Sequence, residues 1–225
     1  MTISVLAAAP RAGLLGVASA SQPPAVGANV PALAPGLGAV VTQAWTNPHL
    51  RGHVLGGLAQ GGPGTLRVGE LVERVDPGSA LRQVAVVAAD GAAQAWTGES
   101  CTEWAGHRTG PGWAVAGNYL AGAAVVDSAA TVLRDGVEAL AGGTDAADLA
   151  DLLLAALEAA QAEGGDRRGE RSAVVLVGAT AEQEVAGSAG CPPYPPYLAL
   201  DLRCDDDPQP LAQLRRLLGL SPRTE

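Results

Sequence analysis

The chain alternates near-continuous apolar runs with short breaks rich in glycine and proline. Residues 3–9 and 14–20 are two such runs around Pro10-Arg11-Ala12-Gly13, which predicts a hairpin, with Gly13 and Gly16 supplying the turn's freedom. "GLGAVVTQAW" (36–45) predicts another strand after a proline-rich connection; helical patterns follow near 51–60 and 65–75, the second stopped by Asp76-Pro77-Gly78. "RQVAVVAADGAAQAWTGE" (82–99) reads as two strands around an Asp90-Gly91 turn. Alternation in these runs is poor because nearly every residue is apolar, the pattern of strands covered on both faces.

The second half turns helical. "GPGWAVAGNYLAG" (110–122) predicts a strand leading into a helix near 123–134, and Thr144 stands as N-cap before "DAADLADLLLAALEAAQAEGG", which Gly164-Gly165 ends. "RSAVVLVGA" (171–179) reads as a central strand, "YLALDLRC" (197–204) alternates like a sheet strand, and "PLAQLRRLLGL" closes the chain as a helix. With no internal repeat or linker, residues 1–225 are expected to form a single α+β domain whose sheet layers are enclosed by helices.

Composition narrows the chemistry. Phenylalanine is absent and aromatics make up 3%, so the core must be built from Ala, Val and Leu, and Trp96, Trp104 and Trp113 in one segment point to a local site or a packing knot. A net charge of −9 opposes phosphate binding, so small molecules or proteins are the expected partners rather than nucleic acid. All 14 basic residues are arginine, which excludes a lysine Schiff base and a P-loop lysine. Cys101, Cys191 and Cys204 have neither metal spacing nor an even disulfide framework, which fits a reducing cytoplasm. Ala18-Ser19-Ala20 resembles a leader cleavage site, but no basic segment precedes it and Pro10-Arg11 interrupts the apolar stretch. No run reaches the roughly 20 apolar residues of a membrane span, so a cytoplasmic location off the membrane is expected.

Several constellations could carry chemistry. Removal of Met1 would leave Thr2 with a hydroxyl and a free α-amine on one residue, a nucleophile with its own base; the alternative is an ordinary strand threonine. "TGESCTEWAGHRTGPGW" (97–113) gathers Glu99, Cys101, Glu103, His107 and Arg108 in a loop between strands, where Cys101 and His107 could pair as nucleophile and base or the loop could serve binding or packing. "GGDRRGERS" (164–172) could clamp a carboxylate through arginine or be a solvated charged loop. His49 and His53 have i, i+4 spacing but no third ligand, and Asp205-Asp206-Asp207 reads as helix-entry acids. No metal, nucleotide or organic cofactor is expected.

The residues also resemble a known family. "MTISV", "LGVASAS", "AVGANVP", "GLGAVVTQAWTNP", "WTGESCTEWAGH", "GNYLAG", "AGGDRRGERSAVVLV" and "YLALDLRCDDDPQP" are similar, in order and nearly end to end, to the family of domain of unknown function 1028, of N-terminal-nucleophile-like fold. The resemblance implies an αββα four-layer sandwich of N-terminal-nucleophile hydrolase type and by itself supplies no reaction; by analogy with that fold class the leading expectation is a small-molecule amidohydrolase acting on an amide or other C–N bond. By it Thr2 would be nucleophile and base, Asn118 an oxyanion or amine-positioning donor, Asp166 and Arg168 would orient the substrate or the amine, and Glu99 and His107 would line the same mouth. Members of that architecture often self-associate through helix layers, so a homo-oligomer is among its implications. The rival readings are a non-catalytic binding protein of the same fold and a hydrolase dependent on Cys101. Where the family often carries a long basic side chain after "VAS", this chain has Ala20-Ser21, and where the family has an acid-histidine pairing near "DDHPDP", it has Asp207 and Gln209.

Overall fold

The computed structural model describes residues 2–62, 64–140, 142–181 and 198–221. Strands β1 (Thr2–Ala9) and β2 (Leu14–Ser21) form the expected hairpin, followed by a short helix α1 (Val26–Asn29), β3 (Pro31–Ala34) and β4 (Gly38–Ala44). Helices α2 (His49–Gly61) and α3 (Val68–Val75) precede β5 (Arg82–Ala88), β6 (Ala93–Thr97), β7 (Gly106–Gly110) and β8 (Trp113–Asn118). Then come α4 (Ala123–Ala139), α5 (Ala146–Ala162), β9 (Ser172–Ala179), β10 (Leu200–Cys204) and α6 (Pro210–Leu220). The strands make a six-stranded sheet, β10-β9-β2-β1-β8-β7, and a four-stranded sheet, β3-β4-β5-β6, with antiparallel neighbours throughout.

Three apolar clusters give each face of the inner strands a partner, which is why their sequence shows so little alternation. Ile3 and Val5 of β1 pack with Leu133 of α4, Leu153 and Leu157 of α5, and Leu214 of α6. On the opposite face of the same strand, Leu6 and Ala8 meet Val41 of β4 and Val87 of β5 between the sheets. Val40, Val84 and Val86 on the far side of the smaller sheet pack under Leu50 and Val54 of α2 and Val72 of α3. Burial of such side chains contributes about 1.5–3 kcal/mol each. No helix among the described residues is long and apolar enough to cross a membrane.

Local details depart from the sequence expectations. Asp145, not Thr144, caps α5: its carboxylate accepts from the Asp148 N–H at 2.9 Å while the Asp148 carboxylate accepts from the Asp145 N–H at 3.1 Å. A carboxylate at both positions makes this reciprocal arrangement possible, which Thr144 one residue earlier cannot. Gly16 lies inside β2 rather than in the turn, and a Cβ there would stand 2.7 Å from Leu153 Cδ1, so it is the close approach of α5 that needs glycine. The proline-rich connection contains α1 and β3. The 97–113 segment is not one loop, since β7 carries His107 and Arg108. The three clustered tryptophans separate as well: Trp96 packs on the α2–α3 side, Trp104 and Trp113 on the α4–α5 side. Cys191 and Tyr197 lie outside the described residues.

Candidate functional site

The register of the larger sheet lines up Asn118, Thr2, Ser21 and Ser172 as direct cross-strand partners on β8, β1, β2 and β9. Partners in register share a face, and for this row it is the face between the sheets, because two residues further along β1 Ser4 meets Gln43 of the smaller sheet. The row is deeply buried, with Thr2 5% and Asn118 2% exposed. Thr2 Oγ1 and Ser21 Oγ are 3.0 Å apart in a hydrogen bond.

Opposite the row, the smaller sheet supplies Gln43, Gln83 and Thr97, again in register. Ser4 Oγ donates to Gln43 Oε1 at 2.7 Å and shares a second bond with Ser19 Oγ at 2.7 Å. Gln43 Nε2 lies 2.8 Å from Gln83 Oε1 and 3.2 Å from the Thr2 carbonyl. Gln83 Oε1 also accepts from Asn118 Nδ2 at 3.0 Å, while Gln83 Nε2 donates to Thr97 Oγ1 at 2.9 Å. Thr97 Oγ1 in turn meets His107 Nδ1 at 2.8 Å. With its oxygen accepting from Gln83, Thr97 is free to donate to an unprotonated Nδ1, and burial together with the Arg108 charge lowers the pKa of the His107 ring. A hydrogen-bonded chain thus runs from the Thr2 carbonyl to a neutral imidazole.

Thr2 and Ser21 also form part of the wall of a cavity of about 230 Å³, whose apolar lining comes from Pro23, Pro24, Val26, Val30, Ala44 and Pro48. The backbone around it is constrained. Ala25, Ala44 and Tyr119 hold positive φ values of 56°, 69° and 61° without being glycine; Ala25 sits between two lining residues, Ala44 lines the cavity, and Tyr119 follows Asn118. Such conformations cost roughly 1–2 kcal/mol each for a residue with a Cβ, and they gather where surrounding structure holds them for a purpose. Larger hollows of about 610 and 690 Å³ open at the β1–β2 turn and near the start of α5, and none of the expected site residues lines either.

The "GGDRRGERS" loop closes the Thr2 end of the larger sheet. Gly164 and Gly165, at φ 100° and 42°, end α5 and let the chain double back. Asp166 then bridges Leu120, two residues beyond Asn118, and the Arg171 N–H donates to the Ser21 carbonyl at 2.8 Å. Asp166 Oδ1 accepts from the Arg168 N–H at 2.7 Å, and the Arg168 guanidinium stacks 4.7 Å above the Tyr119 ring. Glu170 Oε2 accepts from Gln161 Nε2 at 2.9 Å. Asp166 Oδ2 and Glu170 Oε1 are buried without a hydrogen-bond partner among the described residues. Burial pushes the Glu170 carboxyl up to about 7, partly opposed by the Gln161 bond and reinforced by the Asp166 charge.

A family model described as "Family of unknown function (DUF1028)" matches residues 2–214. The chain belongs to the DUF1028 family. A crystal structure of a Silicibacter pomeroyi DUF1028 protein is similar at a TM-score of 0.77 and 26% identity, covering 100% of this chain and 87% of that one. Anbu proteins of Hyphomicrobium sp. strain MC1 and Yersinia bercovieri align over 100% of both chains at TM-scores of 0.46 and 0.41 and identities of 11% and 12%, too slight a likeness to carry a residue's role across. No curated protein matches the chain.

Within this DUF1028 chain the expected site residues do not all converge. Thr2 and Asn118 are direct partners, and Asp166 and Arg168 stand at the same sheet end. Glu99 is exposed and lines a different cavity of about 280 Å³ with Glu73, Trp96 and Thr97, because the chain turns outward after β6; the mouth expected of it and Thr2 is not shared. His107 reaches the Thr2 end only through Thr97 and Gln83. Cys101 Sγ donates to the Arg82 carbonyl at 3.4 Å, His107 Nδ1 is taken by Thr97, and burial raises the Cys101 pKa, away from the thiolate a nucleophile needs. His49 and His53 lie on α2, and no group of three or more His, Cys, Asp or Glu among the described residues is placed to hold a metal ion. Asp206 pairs with Arg171 at 2.7 Å, and Asp207 Oδ1 accepts from the Gln209 N–H at the entry to α6. Position 20 faces the α4–α5 cluster, whereas position 21 is the one beside Thr2. Gln43, Gln83, Thr97 and Glu170 are site residues that the sequence reading does not single out; the signal for the first three is an amide or hydroxyl at or next to the end of a strand that is otherwise mostly apolar.

Proposed function

We propose that this DUF1028 protein is a small-molecule amidohydrolase of N-terminal-nucleophile type, a four-layer αββα sandwich that cleaves an amide or other C–N bond with Thr2 as nucleophile. The observation that carries the reading is the Thr2 hydroxyl, bonded to Ser21 on the wall of a preformed cavity at the polar end of the inter-sheet layer. Met1 lies outside the described residues, and its removal is part of the proposal. The freed α-amine takes the hydroxyl proton as Thr2 Oγ1 attacks the amide carbon, forming an O–C bond and a tetrahedral oxyanion. Asn118 Nδ2 spends one N–H on Gln83, leaving the second for that oxyanion or for the amine. Collapse breaks the C–N bond, the amine nitrogen returns the proton to the leaving group, and water then hydrolyses the acyl ester on Thr2 and restores the hydroxyl.

One observation favours a second reading, a binding protein that keeps the fold without the chemistry: the Thr2 carbonyl, Asn118 and both glutamines belong to a hydrogen-bond network that serves packing by itself. Intact mass separates the two readings first. Loss of the mass of Met1 is expected, and its quantitative retention would sink the catalytic proposal. Screening short amides against wild type and Thr2→Ala comes next. Release of amine by wild type should fall by roughly 10⁴-fold in the variant; equal rates reject Thr2 as nucleophile.

A further inference from the structure

The cavity beside Thr2 has a composition that selects its contents. Its six apolar lining residues include three prolines, and the remainder of its wall, Asn29 and Thr46 with Thr2 and Ser21, is neutral. The walls are held from outside. Ser172 Oγ accepts from the Val26 N–H at 3.1 Å and donates to the Pro23 carbonyl at 2.7 Å, fixing the entry to α1. Arg51 Nη1 donates to the carbonyls of Ala28 and Pro31 at 3.1 and 2.9 Å, so the nearby cation serves backbone rather than ligand. On the other rim, Arg82 donates to the Trp45 carbonyl at 2.6 Å while paired with Asp76, which also accepts from Asn47. Walls of this kind adapt little, so size and charge decide entry.

We infer that this cavity receives the acyl portion of a short, uncharged amide and rejects acyl groups that end in a carboxylate or an ammonium; the inference rests on the proposed role of Thr2. A volume of about 230 Å³ holds roughly eight water-sized groups at 30 Å³ each. With the Thr2 amine engaged at the reacting carbonyl, an ionised group at the far end of the acyl chain would lose part of its hydration and meet no opposite charge among the lining side chains, whereas an amide carbonyl or hydroxyl finds Asn29, Thr46 or Ser21. Thr2 stands at the wall of the same space, so an acyl group seated there presents its carbonyl carbon to the hydroxyl.

The test is a ligand-observed NMR titration of the full chain with butyramide, succinamate and 4-aminobutyramide, three compounds of similar length and different charge. Butyramide should bind saturably at millimolar concentration or below, and the two charged compounds about 30-fold more weakly. Thr46→Phe and Asn29→Phe, at half-buried and exposed lining positions, should each weaken butyramide at least about 10-fold by filling the space. The inference is overturned if either charged compound binds as tightly as butyramide, if butyramide does not bind, or if both folded variants bind it as wild type does. Butyramide that binds wild type and Thr2→Ala alike, yet is hydrolysed by neither, supports the cavity's selectivity while rejecting Thr2 as nucleophile.

Discussion

The two ends of the layer between the sheets are built from the same strands and opposite materials. At the end near the β1–β2 turn, Leu6, Ala8, Leu15, Val17, Val41 and Val87 meet as an apolar cluster. At the other end those strands present Thr2, Ser4, Ser19, Ser21, Gln43 and Gln83, all buried and joined by hydrogen bonds. On the face between the sheets each strand changes character along its length: β5 presents Gln83, then Ala85 and Val87, while β4 runs from Ala39 and Val41 to Gln43. An apolar end tolerates no specific chemistry but holds the sheets together, whereas a polar end has to satisfy each amide and hydroxyl and so fixes their orientation. The difference divides the layer into a part that supplies stability and a part that positions groups around Thr2.

The largest expected effect tests the second part. Thr2→Ala should abolish most of any amide hydrolysis while leaving the melting temperature within about 2 °C, since it removes one hydroxyl whose partner Ser21 has other neighbours. Leu6→Ala, at the apolar end, should do the reverse. The fully buried Leu6 has no side-chain hydrogen-bonding duty, and its truncation should cost about 3 kcal/mol by chemical denaturation with the KM of any amide hydrolysis by the surviving folded protein unchanged. A large change in KM would show that the two ends are not separable.

Gln83→Leu is expected to cross that boundary. Its loss takes from Asn118 Nδ2 its side-chain acceptor and from the Gly117 carbonyl its 2.9 Å side-chain donor, while Gln43 Nε2 loses one acceptor and keeps the Thr2 and Ala116 carbonyls. Orphaned buried groups cost about 1–3 kcal/mol, so denaturation should register about 2 kcal/mol, and activity should fall as well because Asn118 is no longer held. Stability loss with full activity would make the network a packing device only.

The layered fold was legible because strands apolar on both faces have to be sandwiched, and the helices declared themselves through their stops at Asp76 and Gly164-Gly165. The polar end was harder to see. In "TISVLAAA" and "LLGVASAS" the period-two signal consists of Thr and Ser set among Ile, Val and Ala, a contrast too small to mark a face when the other face is equally buried. Gln43 and Gln83 sit 40 residues apart in sequence, and only strand register brings them together. The acids at 166 and 170 fall in a loop that reads equally as an arginine clamp or a solvated turn; nothing in "GGDRRGERS" signals that the glycines fold it inward, leaving Asp166 and Glu170 buried while Arg167 and Arg168 stay outside.

That loop also contrasts with the other buried acid of the described residues, and the contrast gives the smallest predicted effect. Asp76 is met by Arg82 and Asn47, and those bonds hold its carboxyl down at about 2. Glu170 has Gln161 as its side-chain donor and the Asp166 carboxylate as a neighbour, with Arg168 turned to Asp166 and Tyr119 and Arg171 turned to Asp206, so burial wins and its carboxyl rises to about 7. A folded-state pKa above the ordinary 4.5 means that the native protein holds this proton more tightly than the unfolded chain. The resulting stabilisation is fully present below 4.5 and is lost as pH rises through about 7. Glu170→Gln replaces the acid with a neutral group that keeps an acceptor for Gln161 and adds an N–H beside Asp166. Differences between variant and wild type, taken at each pH, cancel the opposing titration of His107. The variant should match wild type below pH 4.5, and its advantage should grow by about 1 kcal/mol from pH 5 to pH 6, roughly 2–4 °C in Tm, before levelling off above pH 7. Parallel melting curves from pH 5 to 8 would mean that Glu170 is ionised throughout, and that an ion or donor satisfies the loop's two open carboxylate oxygens in solution.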